Sequence, residues 1–250
     1  MDAKEVDGDV VKNRDFFSMH HFSSFKKEEI HVWTASLDAS IIFFEHCKQA
    51  LNEVERQRIS FYKFEKDQAN YVLSQGGIRL LLSSYLRVNP RDVIIGRHLK
   101  GKPYCSNDTS LFFNISNSGD RVVYAISRAG EVGIDIEQLR PLKDLDELIE
   151  KNFNDHEKKF INLHSEDKLF RFLKFWTVKE SYLKAIGEGM RLTPDNLEFT
   201  VENNLFKLME VKGFFESKDW ISTNLIIAPD YVGTLTYLGK ETQISEVIQL

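Results

Sequence analysis

The sequence predicts an α+β fold, and three observations support this prediction. Short β-branched segments such as 30–35 and 121–127 are typical of strands. Two long segments, 67–85 and 166–186, repeat apolar residues at helical spacing. Hydrophobic residues occupy 42% of the 250 positions and charged residues 28%, which is the composition of a globular chain with a substantial core. Disordered, collagen-like and disulfide-stapled proteins are thereby excluded.

The first half of the chain alternates strands with helices. Residues 1–28 are polar and have no clear period, so a loosely structured lead-in is expected there. Asn89-Pro90 ends the helical pattern, and residues 117–120 read as a turn. The predicted elements are a strand at 30–35, helices at 53–64 and 67–85, and strands at 111–116 and 121–127.

The second half repeats much of this order. The run from Glu55 to Asp67 and the long helix after it resemble the run from Glu157 to Asp167 and its long helix, roughly 100 residues later. Two fused, related halves would produce this echo, but a chance match of two helical hairpins would look the same. The predicted elements are a strand at 131–137, helices at 155–163 and 166–186, and strands at 197–201, 205–211, 220–227 and 231–237.

Charge and cysteine content bound the class of protein. The formal net charge is −5, which argues weakly against a nucleic-acid-binding protein. The N-terminus is charged, and no apolar run approaches the roughly 18 residues of a membrane span, so neither a signal peptide nor membrane insertion is expected. Cys47 and Cys105 lie far apart in the sequence and are interpreted as free thiols in a reducing cytoplasm.

The segment 131–137 carries the sharpest chemical signal. On a strand, Val132, Ile134 and Ile136 point to one face, while Asp135 and Glu137 share the other, about 6–7 Å apart. Like charges so placed repel each other unless a cation or solvent separates them. A solvated strand face is the alternative interpretation.

The long helix adds a third carboxylate. Glu180 falls within its broad apolar face, Lys179 intrudes on the same face, and Lys184 lies at the border. An unpaired carboxylate among apolar side chains is costly, so Glu180 requires a lysine or a shared metal ion. The alternative is a Glu180–Lys184 pair on the helix surface, worth about 0.3–0.5 kcal/mol.

Three carboxylates with nearby lysines suit a hard divalent cation such as Mg²⁺, which completes its shell with water and substrate phosphates. The sequence has no zinc-ligand spacing, phosphate-binding glycine loop or serine-hydrolase elbow. Several further residues could contact phosphates, although each is individually non-specific. They are Arg97, Lys102, Ser116 and Asn117, whereas a lone Arg58 is usually a solvated helix residue.

Taken in order, these pieces resemble the 4′-phosphopantetheinyl transferase superfamily, specifically its longer, surfactin-type branch. The resemblance runs from about residue 30 to the 230s and leaves the first ~28 residues uncovered. Its last two motifs are the most specific in combination. The motifs are Gly101-Lys102-Pro103, Phe113 to Asp120, Gly133 to Glu137, and Phe172 to Gly189.

The resemblance implies a pseudodimer of two similar α/β halves, 29–128 and 129–250, with coenzyme A bound between them. It implies an enzyme that moves phosphopantetheine from coenzyme A to a serine of an apo acyl or peptidyl carrier protein and releases adenosine 3′,5′-bisphosphate. Asp135, Glu137 and Glu180 would hold Mg²⁺. Glu180, or a water that it holds, would take the serine proton, and Lys184 would neutralise phosphate charge.

The resemblance also assigns the remaining site residues. Arg58, Arg97 and Lys102 match basic positions at the nucleotide end of coenzyme A, and Ser116 and Asn117 match donors near the phosphates. Asn117 stands where the family often has His, and an amide can donate a hydrogen bond but cannot carry a positive charge.

Partners and competing functions complete the prediction. A monomer is expected, with no nucleic-acid or membrane partner, and Lys158, Lys159 and the exposed side of 170–174 are candidates for docking an acidic carrier protein. A non-catalytic coenzyme A or carrier-protein binding module and a metal-dependent phosphohydrolase are the alternatives.

Overall fold

Two β-sheets pack face to face in the computed structural model, and each carries a long helix on its other side. The structure describes residues 25–38, 41–188, 192–202, 205–211, 220–239 and 242–250. One apolar cluster lies between the two sheets, a second between the first sheet and its helices, and a third between the second sheet and its helices. The mixed α/β fold expected from the sequence is confirmed.

The first sheet has the strand order β11-β1-β5-β4, so β4 is one of its two edge strands. The chain enters it at β1 and returns to it through the hairpin of β4 and β5. Between them lie three helices and a short two-stranded ribbon. The elements are β1 (Glu29–Ser36), α1 (Ile41–Ala50), α2 (Glu53–Ile59), α3 (Glu65–Leu86), β2 (Ile95–Arg97), β3 (Pro103–Cys105), β4 (Phe112–Ser118) and β5 (Arg121–Ser127).

The second sheet has the strand order β6-β10-β9-β8-β7, so β6 is also an edge strand. Its long helix α6 packs against β6 and β10. The elements are β6 (Val132–Gln138), α4 (Leu145–Asn152), α5 (Asp155–Ile161), α6 (Lys168–Ile186), β7 (Leu197–Glu202), β8 (Leu205–Val211), β9 (Trp220–Leu225), β10 (Tyr231–Leu238) and β11 (Gln243–Gln249).

The last strand does not stay with the second half. β11 pairs in parallel with β1, so the C-terminus of the chain completes the first sheet. The predicted half 129–250 therefore contributes one strand to the other half, and the division at residues 128 and 129 stays a prediction. Of the predicted lead-in, residues 1–24 lie outside the described part of the chain, while Phe25 packs against the first core.

The echo between the halves has a physical counterpart. Asn52 and Glu55 form a reciprocal capping box at the start of α2, and Glu55 also accepts a hydrogen bond from Arg79 on α3 at 2.6 Å. In the second half, Asn154 and Glu157 form the same box at the start of α5, and Glu157 binds Lys179 on α6 at 2.7 Å. The same device recurs in the same place, which favours related halves over a chance match.

Every predicted strand and helix is present, with ends shifted by a few residues. Among the described α-helices and strands, those not predicted are α1, α4, the β2–β3 ribbon and β11. A short apolar run such as the start of α1 does not distinguish helix from strand. Among the described helices, none combines the length and the apolar character needed to cross a membrane.

Candidate active site at the junction of two edge strands

β4 and β6 are held together by side chains. Asn114, Ser116 and Ser118 alternate along β4 and therefore share one face. Their side-chain oxygens accept hydrogen bonds from the backbone N–H groups of Ile134, Ile136 and Gln138, at 3.0, 3.4 and 3.1 Å. Each bond joins residues 20 positions apart in the sequence. Every second residue of β4 from 114 to 118 is therefore hydrogen-bonded to β6.

The carboxylates of β6 lie at this junction. Val132, Ile134 and Ile136 are buried in the cluster between the sheets, as the alternation predicts. Asp135 is only 5% exposed, and Glu137 is half-buried. The alternative of a solvated strand face is therefore wrong.

Asp135 is bound through one oxygen only. Its Oδ1 accepts hydrogen bonds from the Ser116 hydroxyl at 2.9 Å and from the Lys184 ammonium at 2.7 Å. Its Oδ2 is buried and has no hydrogen-bond partner among the described residues. A buried carboxylate oxygen without a partner is costly, and a cation or a donor from a ligand would satisfy it.

Gly133 brings helix α6 to the strand. A Cβ atom at this position would lie 2.0 Å from the carbonyl oxygen of Ser181, so the two backbones could not approach this closely with any other residue. The contact places Glu180 and Lys184 of α6 beside the β6 carboxylates.

Lys184 pairs across the junction and not along its own helix. Its ammonium donates to Asp135, to the Ser116 hydroxyl at 2.9 Å and to the carbonyl of Ile134 at 3.2 Å. The alternative of a Glu180–Lys184 surface pair is therefore wrong. Lys179, which also lies on the apolar face, is fully buried and binds Glu157, so it belongs to the core of the second half.

Burial raises the pKa of all three carboxylates. For Asp135, the Lys184 charge and the Ser116 hydroxyl partly oppose this rise. For Glu137, the Ser118 hydroxyl lowers the pKa again, while the charge of Asp135 raises it. For Glu180, burial and the charges of Asp135 and Glu137 raise the pKa, and Lys184 lowers it. The three groups are thus close enough to repel one another.

A divalent cation fits this donor set. Carboxylate oxygens are the hard ligands that Mg²⁺ prefers. A bound Mg²⁺ ion would offset the repulsion among the three carboxylates and would give the unpaired Oδ2 of Asp135 a partner. Within the described ranges, no three His, Cys, Asp or Glu side chains surround a common metal position. Binding by all three residues therefore requires their carboxylates to turn towards one another.

A cavity of about 540 Å³ lies on the opposite face of β4. The structure brings Arg58, Arg97 and Asn117 together in its wall. Asn117 is exposed and follows Ser116 directly, so a single residue step along β4 separates the cavity wall from the carboxylate cluster. Sequence reasoning did not identify the cavity's other polar groups. They include Asn70, Tyr71, Ser74 and Gln75 of α3.

Lys102 is placed apart from the cavity-lining cations. Its side chain is 9% exposed, and its ammonium pairs with Glu131 and donates to the carbonyls of Val132 and Ala185. Burial lowers its pKa, and Glu131 partly restores it. A phosphate could reach this ammonium only by displacing a protein partner, so the nucleotide-binding role stays a prediction.

Two residues of the junction received no role from sequence reasoning. Ser118 donates to Glu137, and Asn114 ties the start of β6. The available signal was the recurrence of a polar residue at every second position of β4, at 114, 116 and 118.

Two family models match the chain. The model described as the 4′-phosphopantetheinyl transferase superfamily matches residues 131–236, and the model described as 4′-phosphopantetheinyl transferase, N-terminal, matches residues 33–129. Their junction falls between β5 and β6. The two matches leave β11, the start of β1 and the last two residues of β10 outside.

Curated relatives carry the same name. The 4′-phosphopantetheinyl transferase HetI of Nostoc is 29% identical over 77% of this chain and 92% of its own length. The 4′-phosphopantetheinyl transferase gsp of Aneurinibacillus migulanus is 34% identical over 64% of this chain and 65% of its own length. A phosphopantetheinyl transferase of Thraustochytrium is 32% identical over 61% of this chain, and the match spans 58% of that relative.

Proposed function

The chain belongs to the 4′-phosphopantetheinyl transferase superfamily, and on that premise we propose that it modifies apo acyl or peptidyl carrier proteins. It transfers the 4′-phosphopantetheine arm of coenzyme A to a carrier serine and releases adenosine 3′,5′-bisphosphate. The observation that carries the proposal is the junction of β4 and β6. There a carboxylate cluster with Lys184 lies one residue step from a cavity lined by Arg58, Arg97 and Asn117. Assignment to the surfactin-type branch is part of the proposal.

The cavity receives the nucleotide end of coenzyme A. Arg58 and Arg97 are exposed in its wall and can pair with phosphate oxygens, including the 3′-phosphate. Asn117 can donate its amide N–H to the same group, without the charge that a histidinium would add. The volume of about 540 Å³ is within the usual range for a small-molecule site.

The carboxylate cluster receives the pyrophosphate. Asp135, Glu137 and Glu180 would hold a Mg²⁺ ion, which when bound neutralises the negative charge of the two phosphates. Lys184 contributes a fixed positive charge from the protein side, and its bond to Asp135 holds it in place. Ser116 directs its hydroxyl to Asp135 and so keeps that carboxylate aligned.

Glu180 accepts the proton of the carrier serine, directly or through a water. The serine oxygen then forms a bond to the β-phosphorus, and the bond from that phosphorus to the bridging oxygen breaks. The electron pair leaves on the α-phosphate of adenosine 3′,5′-bisphosphate, where Lys184 can offset the charge. Each proton and charge that moves thus has a residue at the junction to receive it.

The carrier protein is proposed to dock near the start of α6. Lys159 is exposed, Phe170 is 39% exposed, and the Lys174 ammonium lies 4.9 Å from the centre of the Phe170 ring. Lys158 already pairs with Glu150 at 2.7 Å, so it is the weaker candidate. This patch combines positive charge with an apolar ring, which suits an acidic partner. A monomeric state and a cytoplasmic location are further parts of the proposal.

Intact-mass spectrometry tests the function directly. The protein is incubated with coenzyme A, Mg²⁺ and a panel of apo carrier proteins, beside a transferase of known activity. A phosphopantetheine adduct on at least one carrier is expected. Coenzyme A binding without an adduct on any carrier would favour the binding module, and carrier-independent release of phosphate would favour the phosphohydrolase.

Glu180→Gln separates catalysis from binding. The variant keeps the shape of the side chain and removes its basicity, so transfer should fall by about two orders of magnitude or more. Coenzyme A should still bind the variant, because the cavity is unchanged.

A further inference from the structure

The hydroxyl of Ser118 is fixed in direction. Its Oγ accepts a hydrogen bond from the backbone N–H of Gln138 at 3.1 Å and lies 2.7 Å from Oε2 of Glu137. A serine hydroxyl has one hydrogen, and a backbone N–H can only donate. The hydrogen must therefore point at Glu137. Ser118 is 8% exposed, so water competes little for this bond.

Ser116 repeats the arrangement two residues earlier. It accepts from the N–H of Ile136 and from Lys184, which leaves its hydrogen for Oδ1 of Asp135. Both hydroxyl-to-carboxylate bonds span 19 residues, and both use one oxygen of the carboxylate. The repetition indicates a built feature of the junction. Ser116 already has an expected role, whereas Ser118 has none.

We propose that Ser118 is a positioning residue for Glu137. It holds Oε2 in place and leaves Oε1 as the oxygen available to a cation. The inference rests on the proposed function for the cation itself. It goes beyond that function by making a residue of the first sheet responsible for the orientation of a ligand in the second.

Asn114 provides an internal comparison for a purely structural role. It sits on the same face of β4 and ties the N–H of Ile134 in the same way, at 3.0 Å. The residue before Ile134 is Gly133, so this tie orients no carboxylate. A variant at Asn114 weakens the strand junction alone, whereas a variant at Ser118 also releases Glu137.

The test measures cation binding without turnover. Mn²⁺ serves as the probe, titrated into the full-length protein with coenzyme A and no carrier protein, by electron paramagnetic resonance or calorimetry. Ser118→Ala should weaken Mn²⁺ binding about 10-fold or more, as the loss of a group that orients a metal ligand usually does. Asn114→Ala should lower the melting temperature but leave Mn²⁺ affinity within about twofold.

A second pair of variants controls for shape. Ser118→Thr and Ser118→Val have nearly equal volume, suit a strand and differ in the hydroxyl. The Thr variant should bind Mn²⁺ more tightly than the Val variant by about 10-fold. This comparison remains decisive if the Ala variant does not fold.

Equal Mn²⁺ affinity of the Thr and Val variants would overturn the inference. Equal losses of Mn²⁺ affinity in Asn114→Ala and Ser118→Ala would overturn it as well, because they would show that Ser118 only joins β4 to β6. The transfer assay separates the two proposals. A wild-type protein that binds Mn²⁺ but modifies no carrier contradicts the proposed function, and the Ser118 series is then judged on affinity alone. A wild-type protein that transfers while Ser118→Ala binds Mn²⁺ normally contradicts only the role of Ser118.

Discussion

Lys184 donates to Asp135 at 2.7 Å, from helix α6 to strand β6, although Glu180 lies only one turn away on the same helix. The Asp135 side chain is 7% exposed and that of Lys184 is 30% exposed. The bond therefore stabilises the buried charge of Asp135. Lys184, four residues after Glu180 on the helix, is thus not the ion-pair partner of Glu180.

Lys184→Met removes the cation beside Asp135. The carboxylate is then buried without compensation, and we expect a loss of about 2–3 kcal/mol in the free energy of unfolding at pH 7. Urea denaturation of the metal-free protein measures it. The loss should shrink at acidic pH, where Asp135 takes up a proton. A loss that is the same at both pH values would contradict this account.

Glu180→Gln should stabilise the metal-free protein at neutral pH. The folded-state pKa of Glu180 lies above the ordinary value of 4.5, mainly through burial and then through the charge of Asp135. Its contribution to stability is therefore fully present below pH 4.5 and is lost as pH rises through the raised pKa. Because the group is partly exposed, the gain at pH 7 is expected to be small, about 0.5 kcal/mol.

Thermal melting in the presence of a chelator checks this prediction. The variant should melt above the wild type at pH 7, and the difference should disappear as the pH falls towards 4.5. Adding Mg²⁺ with coenzyme A should reverse the order, because Glu180 is a proposed Mg²⁺ ligand and the wild type should therefore bind the ion more tightly than the variant. A variant that is less stable than the wild type at pH 7 without metal would contradict the raised pKa of Glu180.

Gly133→Ala should separate helix α6 from strand β6. The new Cβ would meet the backbone of Ser181 at 2.0 Å, and backbone atoms cannot move aside. We expect a loss of about 3 kcal/mol and no measurable transfer. Gly96→Ala is the control. There the nearest atoms belong to the ring of Tyr104, which can shift, so the cost should stay below about 1 kcal/mol.

Arg58→Ala and Arg97→Ala should weaken coenzyme A binding by about 10-fold each, or about 1.4 kcal/mol, through loss of charge-assisted hydrogen bonds. Calorimetry with coenzyme A and with dephospho-coenzyme A locates the effect. If the two arginines bind the 3′-phosphate, the loss is confined to coenzyme A. Equal losses for both ligands would place the arginines elsewhere on the nucleotide.

Lys102→Met distinguishes the nucleotide role expected from sequence from the contacts in the structure. The ammonium ties Glu131 to the carbonyl of Ala185 near the end of α6, so its loss should lower stability by about 2 kcal/mol. Coenzyme A affinity should be unchanged in the folded variant. A large fall in affinity would mean that a phosphate displaces Glu131 when the cofactor binds.

Most of the regular structure could be predicted because it is local. The periods of α3, α6 and the strands around β6 are each visible within a single segment, as is the glycine that ends α6. β11 was missed because its place depends on a partner more than 200 residues away, β1 at the other end of the chain. No local pattern specifies that return to the first sheet.

The candidate site also has a part that the sequence predicts and a part that it does not. The carboxylates Asp135, Glu137 and Glu180 could be singled out from sequence, because charge in an apolar or alternating segment is costly and therefore informative. The partner of Asp135 could not, since Lys184 had a plausible neighbour in sequence, Glu180, and a different one in space.

Sequence alone was thus sufficient for the fold class, the carboxylate set and the family resemblance. Only the tertiary structure showed that Lys184 pairs with Asp135 and that Lys102 pairs with Glu131 outside the cavity wall. It also showed that Ser118 donates to Glu137. The physical reason is that β4 and β6 are edge strands joined by side chains. Which hydroxyl faces which carboxylate depends on the register between two sheets, and that register is set by their shared core.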